Sequence, residues 1–155
     1  MSLQHEPFNV LIVTGDYYRN VSDELVAGAI EALDALHVSH ALVRVAGALE
    51  IPFVIAGADR AAHRPAGRKY DGFVALGAVI KGETLNYDIV ARETSRAIMQ
   101  MTMDGFAIGN GIIVADNETQ AMARASRTER NKGKEAAIAC ITMIEVGRRL
   151  NMGGI

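Results

Sequence analysis

The sequence has no tryptophan, and its only large aromatic rings are four tyrosines and four phenylalanines. A site that stacks a flat ligand must therefore use tyrosine, an aliphatic plate or a neighbouring chain. There is one cysteine, Cys140, which excludes an internal disulfide. A lone thiol fits a reducing compartment, so a cytoplasmic location is expected. Cys140 itself reads as a small core residue of the last helix. No charge of one sign dominates. The formal net charge of -2 gives no electrostatic footing for nucleic acid or an anionic membrane, and neither is expected as a partner. No apolar run reaches the ~18 residues of a membrane span. The first seven residues lack the basic and apolar regions of a signal peptide and are expected to form a flexible arm. The histidines are dispersed at positions 5, 37, 40 and 63, and no His/Cys/Asp/Glu spacing suggests a metal. Neither G-x-S-x-G nor a Cys/His pairing is present.

What the chain does have is apolar material in a regular order. Half of its 155 residues are hydrophobic, enough for one domain over 1–155 that buries about 68–70% of its unfolded surface. Four strands are predicted over 8–14, 39–46, 73–80 and 106–115. Helices are predicted to begin at Asn20 or Ser22, near Pro52, near Thr84 or Asn86, after Asp116 and at Lys132. The first carries Val21, Leu25, Ala29, Leu33 and Leu36 on one face and ends at His37. The last carries Ala136, Cys140, Met143, Ile144 and Gly147, with Gly133 placed for close packing. Strands alternating with helices imply an α/β fold with a parallel sheet covered on both faces. Gly109 and Gly111, inside the fourth strand, suggest a bend or a close backbone approach.

The stretch from Leu76 to Asp88 is the chemical centre of the chain. An apolar strand breaks at Gly82. Thr84 and Asn86 then offer N-cap chemistry, and Asp88 places an anion in the first helical turn. Strand, glycine turn and helix N-terminus together present backbone N–H groups and a positive dipole end to an anion, typically a phosphate. The spacing Gly77-x-x-x-x-Gly82-Glu83-Thr84 matches a nucleotide phosphate loop except at the lysine. Glu83 stands there and would repel the phosphates, which argues against an NTPase.

Other candidates gather at the same strand ends, where open α/β sheets bind ligands. Of Tyr17 and Tyr18, one ring could pack on the core while the other is solvated, or a ring could face a ligand. Glu50 could be a helix-terminal carboxylate before Pro52, or an acceptor for ligand hydroxyls. The basic group Arg124, Arg127, Arg130, Lys132 and Lys134 could be a solvated face, or the cationic clamp that the Gly82 turn lacks.

Four blocks in order carry a family resemblance: Gly47-Ala48-Leu49-Glu50-Ile51-Pro52, Gly77 to Thr84, Asp116-Asn117-Glu118-Thr119-Gln120-Ala121, and Asn131-Lys132-Gly133. From about Phe8 to Leu150 the chain resembles the 6,7-dimethyl-8-ribityllumazine synthases. The resemblance implies a flavodoxin-like three-layer sandwich with a four-stranded parallel sheet. It implies a transferase of riboflavin biosynthesis that condenses 5-amino-6-(D-ribitylamino)uracil with 3,4-dihydroxy-2-butanone 4-phosphate, releasing phosphate and water without a cofactor. It further implies a homopentamer, in some members assembled into decamers or 60-subunit shells, with sites shared between adjacent subunits and riboflavin synthase as a candidate partner.

On the matching positions, Tyr17 would lie over the pyrimidine. Ala48, Leu49 and Glu50 would hold the ribityl chain, and Ala78, Val79 and Ile80 would line the uracil pocket. Gly82, Glu83 and Thr84 would form the phosphate turn with Arg124, and Lys132 would lie near the uracil. Asn110, Arg124 and Lys132 would come from the neighbouring chain. The chain departs from the family at Asn86, where a proton-transferring histidine is usual, at Leu49, often aromatic, and at Asn110, often phenylalanine. A carboxamide at position 86 can orient and hydrogen-bond but cannot shuttle protons near neutral pH. These departures define an alternative expectation, a catalytically weak lumazine- or flavin-binding scaffold or shell protein of the same fold.

Overall fold

The structure is a computed structural model that describes residues 8–82 and 85–153. The order is β1 (Asn9–Gly15), α1 (Arg19–Ala35), β2 (Ser39–Val45), a 3-10 turn (Ala48–Glu50), α2 (Ile51–Ala61), β3 (Gly72–Ile80), α3 (Asn86–Met103), β4 (Ile108–Ala115), α4 (Glu118–Ala125) and α5 (Lys132–Asn151). The four strands form one parallel sheet in the order β2-β1-β3-β4. This is the flavodoxin-like arrangement, and it follows from the alternation of strand and helix.

Alternation along each strand divides the core into two layers. Val10, Ile12, Val74, Leu76, Ala78 and Ile80 face α1, α4 and α5, where Leu25, Leu33, Ala121, Ala137 and Ile141 meet them. Leu11, Val13, Phe73 and Ala75 face the other side and pack on Ile51 and Ile55 of α2 and Ile98 of α3. All nine residues of β3 are buried, which explains its uninterrupted apolar run.

The two glycines of β4 mark a close approach, not a bend. A Cβ on Gly109 would sit 1.8 Å from the Ala136 carbonyl oxygen, so β4 meets the α5 backbone directly. Gly133 does the same for α5 against α1, where a Cβ would lie 2.0 Å from the Leu25 carbonyl oxygen. Cys140 is fully buried between these layers, and burial pushes its thiol up to about 12. It is a core residue, as its position suggested.

Several helix boundaries and faces differ from the sequence reading. α1 starts at Arg19 because the Tyr18 carbonyl already accepts the N–H groups of Val21 and Ser22. The Ser22 hydroxyl cannot cap the helix, since it is bonded to Asp16 and to the Arg19 carbonyl. Leu36 is 51% exposed because α1 ends at Ala35, and His37 turns the chain away in the left-handed region at φ 56°. Met143 of α5 is 44% exposed, one position beyond the stripe that Ala136, Cys140 and Ile144 bury. At α3 the N-cap is Leu85, without a side-chain cap bond, so Asn86 is the first helical residue and not the cap. Asp88 does lie in the first turn. The predicted arm 1–7, with His5, and the predicted phosphate-turn residues Glu83 and Thr84 lie outside the described residues.

Candidate active site

The site follows from where the strands stop. β1 pairs with β3 from Val10–Gly72 to Thr14–Leu76, whereas β3 continues beside β4 to Ile80. Beyond Leu76, no described strand covers the β1 side of β3. The chain leaving β1 turns instead through Asp16, Tyr17 and Tyr18 into α1, and the chain leaving β2 enters the 3-10 turn at Ala48–Glu50. A Cβ on Gly15 would lie 2.6 Å from the Gly47 carbonyl carbon, so no side chain fits and the two loops lie in contact. The result is a cleft of about 470 Å³ at the carboxyl ends of β1, β2 and β3. In an open α/β sheet this is the crevice that receives ligands.

Tyr17, Ala48, Leu49, Glu50, Ala78, Val79, Ile80, Gly82 and Asn86 all line this cleft. The sequence brought these residues to one sheet edge, and the structure gathers them around one volume. Tyr17 is 75% exposed, with its ring edge-to-face to Tyr18 at 5.0 Å and 66°. Tyr18 is half-buried against the α1 layer of the core, so the pair divides into one packed and one presented ring. Tyr18 also lines the cleft. Burial, then the neighbouring Tyr17 and Glu118, raise its pKa above the ordinary phenol value and keep it a neutral hydroxyl. Glu50 is the one charged side chain among the described lining residues. It occupies the N-cap position of α2 without making a side-chain cap bond, which leaves the hydroxyl-acceptor reading open to it.

Sequence reasoning missed Tyr18, Ala46, Gly47, Tyr87 and Val90 as lining residues. The signals were available. Val90 stands one helical turn beyond Asn86, and Gly47 heads the block that contains Ala48 to Glu50.

The basic residues lie elsewhere. Arg124, Arg130 and Lys132 line a second pocket of about 300 Å³ with Ile112, Val114 and Glu135. Arg124 Nη1 donates to the Val114 carbonyl at 2.7 Å, and Lys132 Nζ pairs with Glu135 at 3.0 Å. Asn110 is exposed on β4, where its Oδ1 accepts the Ile112 N–H at 3.1 Å. Arg127 is committed to the scaffold. It bonds Glu24 at 3.0 Å and Glu31 at 2.7 Å on α1. The two pockets share no lining residue, so within one chain the Gly82 turn and the arginine–lysine group belong to different surfaces.

Residues 7–148 match the family model of 6,7-dimethyl-8-ribityllumazine synthase. The chain belongs to this family. It is 49% identical over 150 residues to 6,7-dimethyl-8-ribityllumazine synthase 1 of Rhizobium meliloti, covering 94% of this chain and 95% of the relative. It is 46% identical over 145 residues to the lumazine synthase of Sphingopyxis alaskensis, covering 94% and 99%. It is 43% identical over 141 residues to that of Zymomonas mobilis, covering 91% and 97%. The match thus spans every element that lines the cleft. Among the described residues no group of His, Cys, Asp and Glu could hold a metal, and no helix is long and apolar enough to cross a membrane.

Proposed function

We propose that this chain is a 6,7-dimethyl-8-ribityllumazine synthase of riboflavin biosynthesis, acting as one domain. It condenses 5-amino-6-(D-ribitylamino)uracil with 3,4-dihydroxy-2-butanone 4-phosphate and releases phosphate and water. The observation that carries this reading is the cleft itself. A presented tyrosine, an uncovered strand end and, among the described residues, a single carboxylate converge there, with Gly82 and Asn86 beside them.

Each wall has a task in this reaction. Tyr17 stacks on the pyrimidine, whose polar edge meets the backbone of Ala78, Val79 and Ile80. Glu50 accepts ribityl hydroxyls, with Ala48 and Leu49 beside it. Gly82, Glu83 and Thr84 bind the phosphate. Arg124, with Asn110 and Lys132, reaches this site from a neighbouring copy, which supports a pentamer or a larger assembly. The absence of a cation from the described cleft lining supports that arrangement. A cytoplasmic enzyme is consistent with the single buried thiol.

The pyrimidine amine first forms an imine with the ketone. Phosphate then leaves, and ring closure releases the second water. Asn86 orients the reacting groups from the first turn of α3. Holding two reactive molecules in register supplies much of the acceleration that such a condensation needs. The relatives' names do not favour the scaffold alternative.

The test is the rate of lumazine formation, followed by absorbance, against the enzyme-free reaction. The protein should accelerate it clearly. Asn86→His should add a further ~10²-fold, the low end of what a positioned acid/base group contributes. A protein with no acceleration would overturn the reading, and acceleration by the variant alone would return it to the scaffold alternative.

A further inference from the structure

Tyr17 presents three-quarters of its surface, so its aim depends on what holds its backbone. The residue before it is unusually well tied. Asp16 has a side chain only 13% exposed and accepts Arg44 Nη1 on both carboxylate oxygens at 3.1 Å. Its Oδ1 also accepts the buried hydroxyls of Ser22 at 2.8 Å and Thr14 at 3.3 Å. Its backbone N–H donates to the Val45 carbonyl at 2.9 Å. Arg44 lies on β2 and also reaches Asp23 of α1 at 3.1 Å. One carboxylate therefore joins β1, β2 and α1 at the point where the Tyr17 loop meets the strand leading to Ala48–Glu50.

We propose that Asp16 is a positioning residue. Clamped by Arg44 and Ser22, it fixes the Tyr17 ring at a set distance from the Ala48–Glu50 wall, and so sets recognition of the pyrimidine substrate. This rests on the lumazine synthase reading of the cleft. The geometry is one-sided, because the clamp's partners lie on β1, β2 and α1 and none is a described phosphate-binding residue. Charge-assisted bonds are stronger than neutral ones, so a neutral residue at position 16 loosens the loop without emptying its space.

The test uses Asp16→Asn and, from the other side of the clamp, Arg44→Ala, with Arg44→Lys as the conservative variant. Each of the first two should raise the KM for the pyrimidine roughly ten-fold, leaving kcat and the KM for the butanone phosphate unchanged, because binding common to ground and transition states is what is lost. Arg44→Lys should recover much of the loss. A fluorescence titration with the lumazine product reads the same cleft without turnover, and both variants should weaken it by a similar factor. Both KM values rising together, or neither KM nor product affinity changing, would overturn the clamp. An unmodified protein that binds product but forms none would overturn the activity and leave the clamp to be judged by the titration.

Discussion

The cleft at the ends of β1, β2 and β3 and the pocket beside β4 are opposites in chemistry. Among the described residues, the first offers rings, an uncovered strand and one carboxylate; the second offers two arginines and a lysine with a single acid. A flat polyhydroxylated ring suits the first, and a phosphate suits the second together with a helix N-terminus. A chain that kept both in one volume would let Glu50 and the cations neutralise each other. One chain keeps them on separate surfaces, and the proposed pairing of the two across a subunit boundary would tie activity to assembly.

The largest expected effect comes from breaking the basic side. Arg124→Ala should lower kcat/KM by roughly 10²–10³-fold, as expected for removing a charged partner of the departing phosphate. Steady-state kinetics with the butanone phosphate as the varied substrate checks it. Mixed oligomers of Arg124→Ala with a Tyr17→Ala/Glu50→Ala chain should regain activity, since some clefts then combine an intact wall with an intact arginine. No regain would place both groups in one chain's site.

Breaking the other side acts first on packing. Gly15→Ala puts a methyl group against Gly47, where a Cβ has 2.6 Å, and should cost about 1–3 kcal/mol in urea unfolding. It should also raise the pyrimidine KM by parting the two loops. A milder change, Glu50→Gln, keeps the shape and removes the charge. It should weaken ribityl recognition by roughly ten-fold, the worth of one hydrogen bond to a charged group, with the unfolding midpoint unchanged.

The smallest effect separates structural cations from binding ones. The side-chain hydrogen bond from Arg127, followed by its backbone N–H, outweighs burial and holds the Glu24 carboxyl below its ordinary value. A carboxyl lowered on folding adds stability above its unfolded pKa and loses it as pH falls through the folded pKa. Glu24→Gln should therefore lower the melting temperature slightly near neutral pH, and the difference should vanish in acid. The pair is partly exposed, so the shift should be small. Activity should not follow it, because Arg127 lies outside the binding pockets.

Much of this was legible beforehand for identifiable reasons. The run from Phe73 to Ile80 reads as a strand buried on both faces, and its neighbours' alternation with helices set the sheet. Tyr17, Glu50 and Gly82 were legible because each lies in the short connection between a strand and the next helix. Which tyrosine was presented was not legible, since adjacent residues on a turn have no periodicity to read. Leu36 and Met143 were misplaced because a helix's apolar stripe says nothing about where the helix stops or how far its partner reaches. Asn86 looked like a cap because its side chain suits one, yet Leu85 takes that position.

By itself, the sequence determined the layered fold and brought Tyr17, Glu50 and Gly82 to one sheet edge, because these depend on residue type and spacing. Tertiary structure alone decided that β1 stops short of β3, that Asp16 is clamped by an arginine 28 positions away, and that the basic group divides between Arg127 in the scaffold and Arg124 beside β4. Those outcomes depend on strand register and on contacts between distant segments, and no local pattern encodes them.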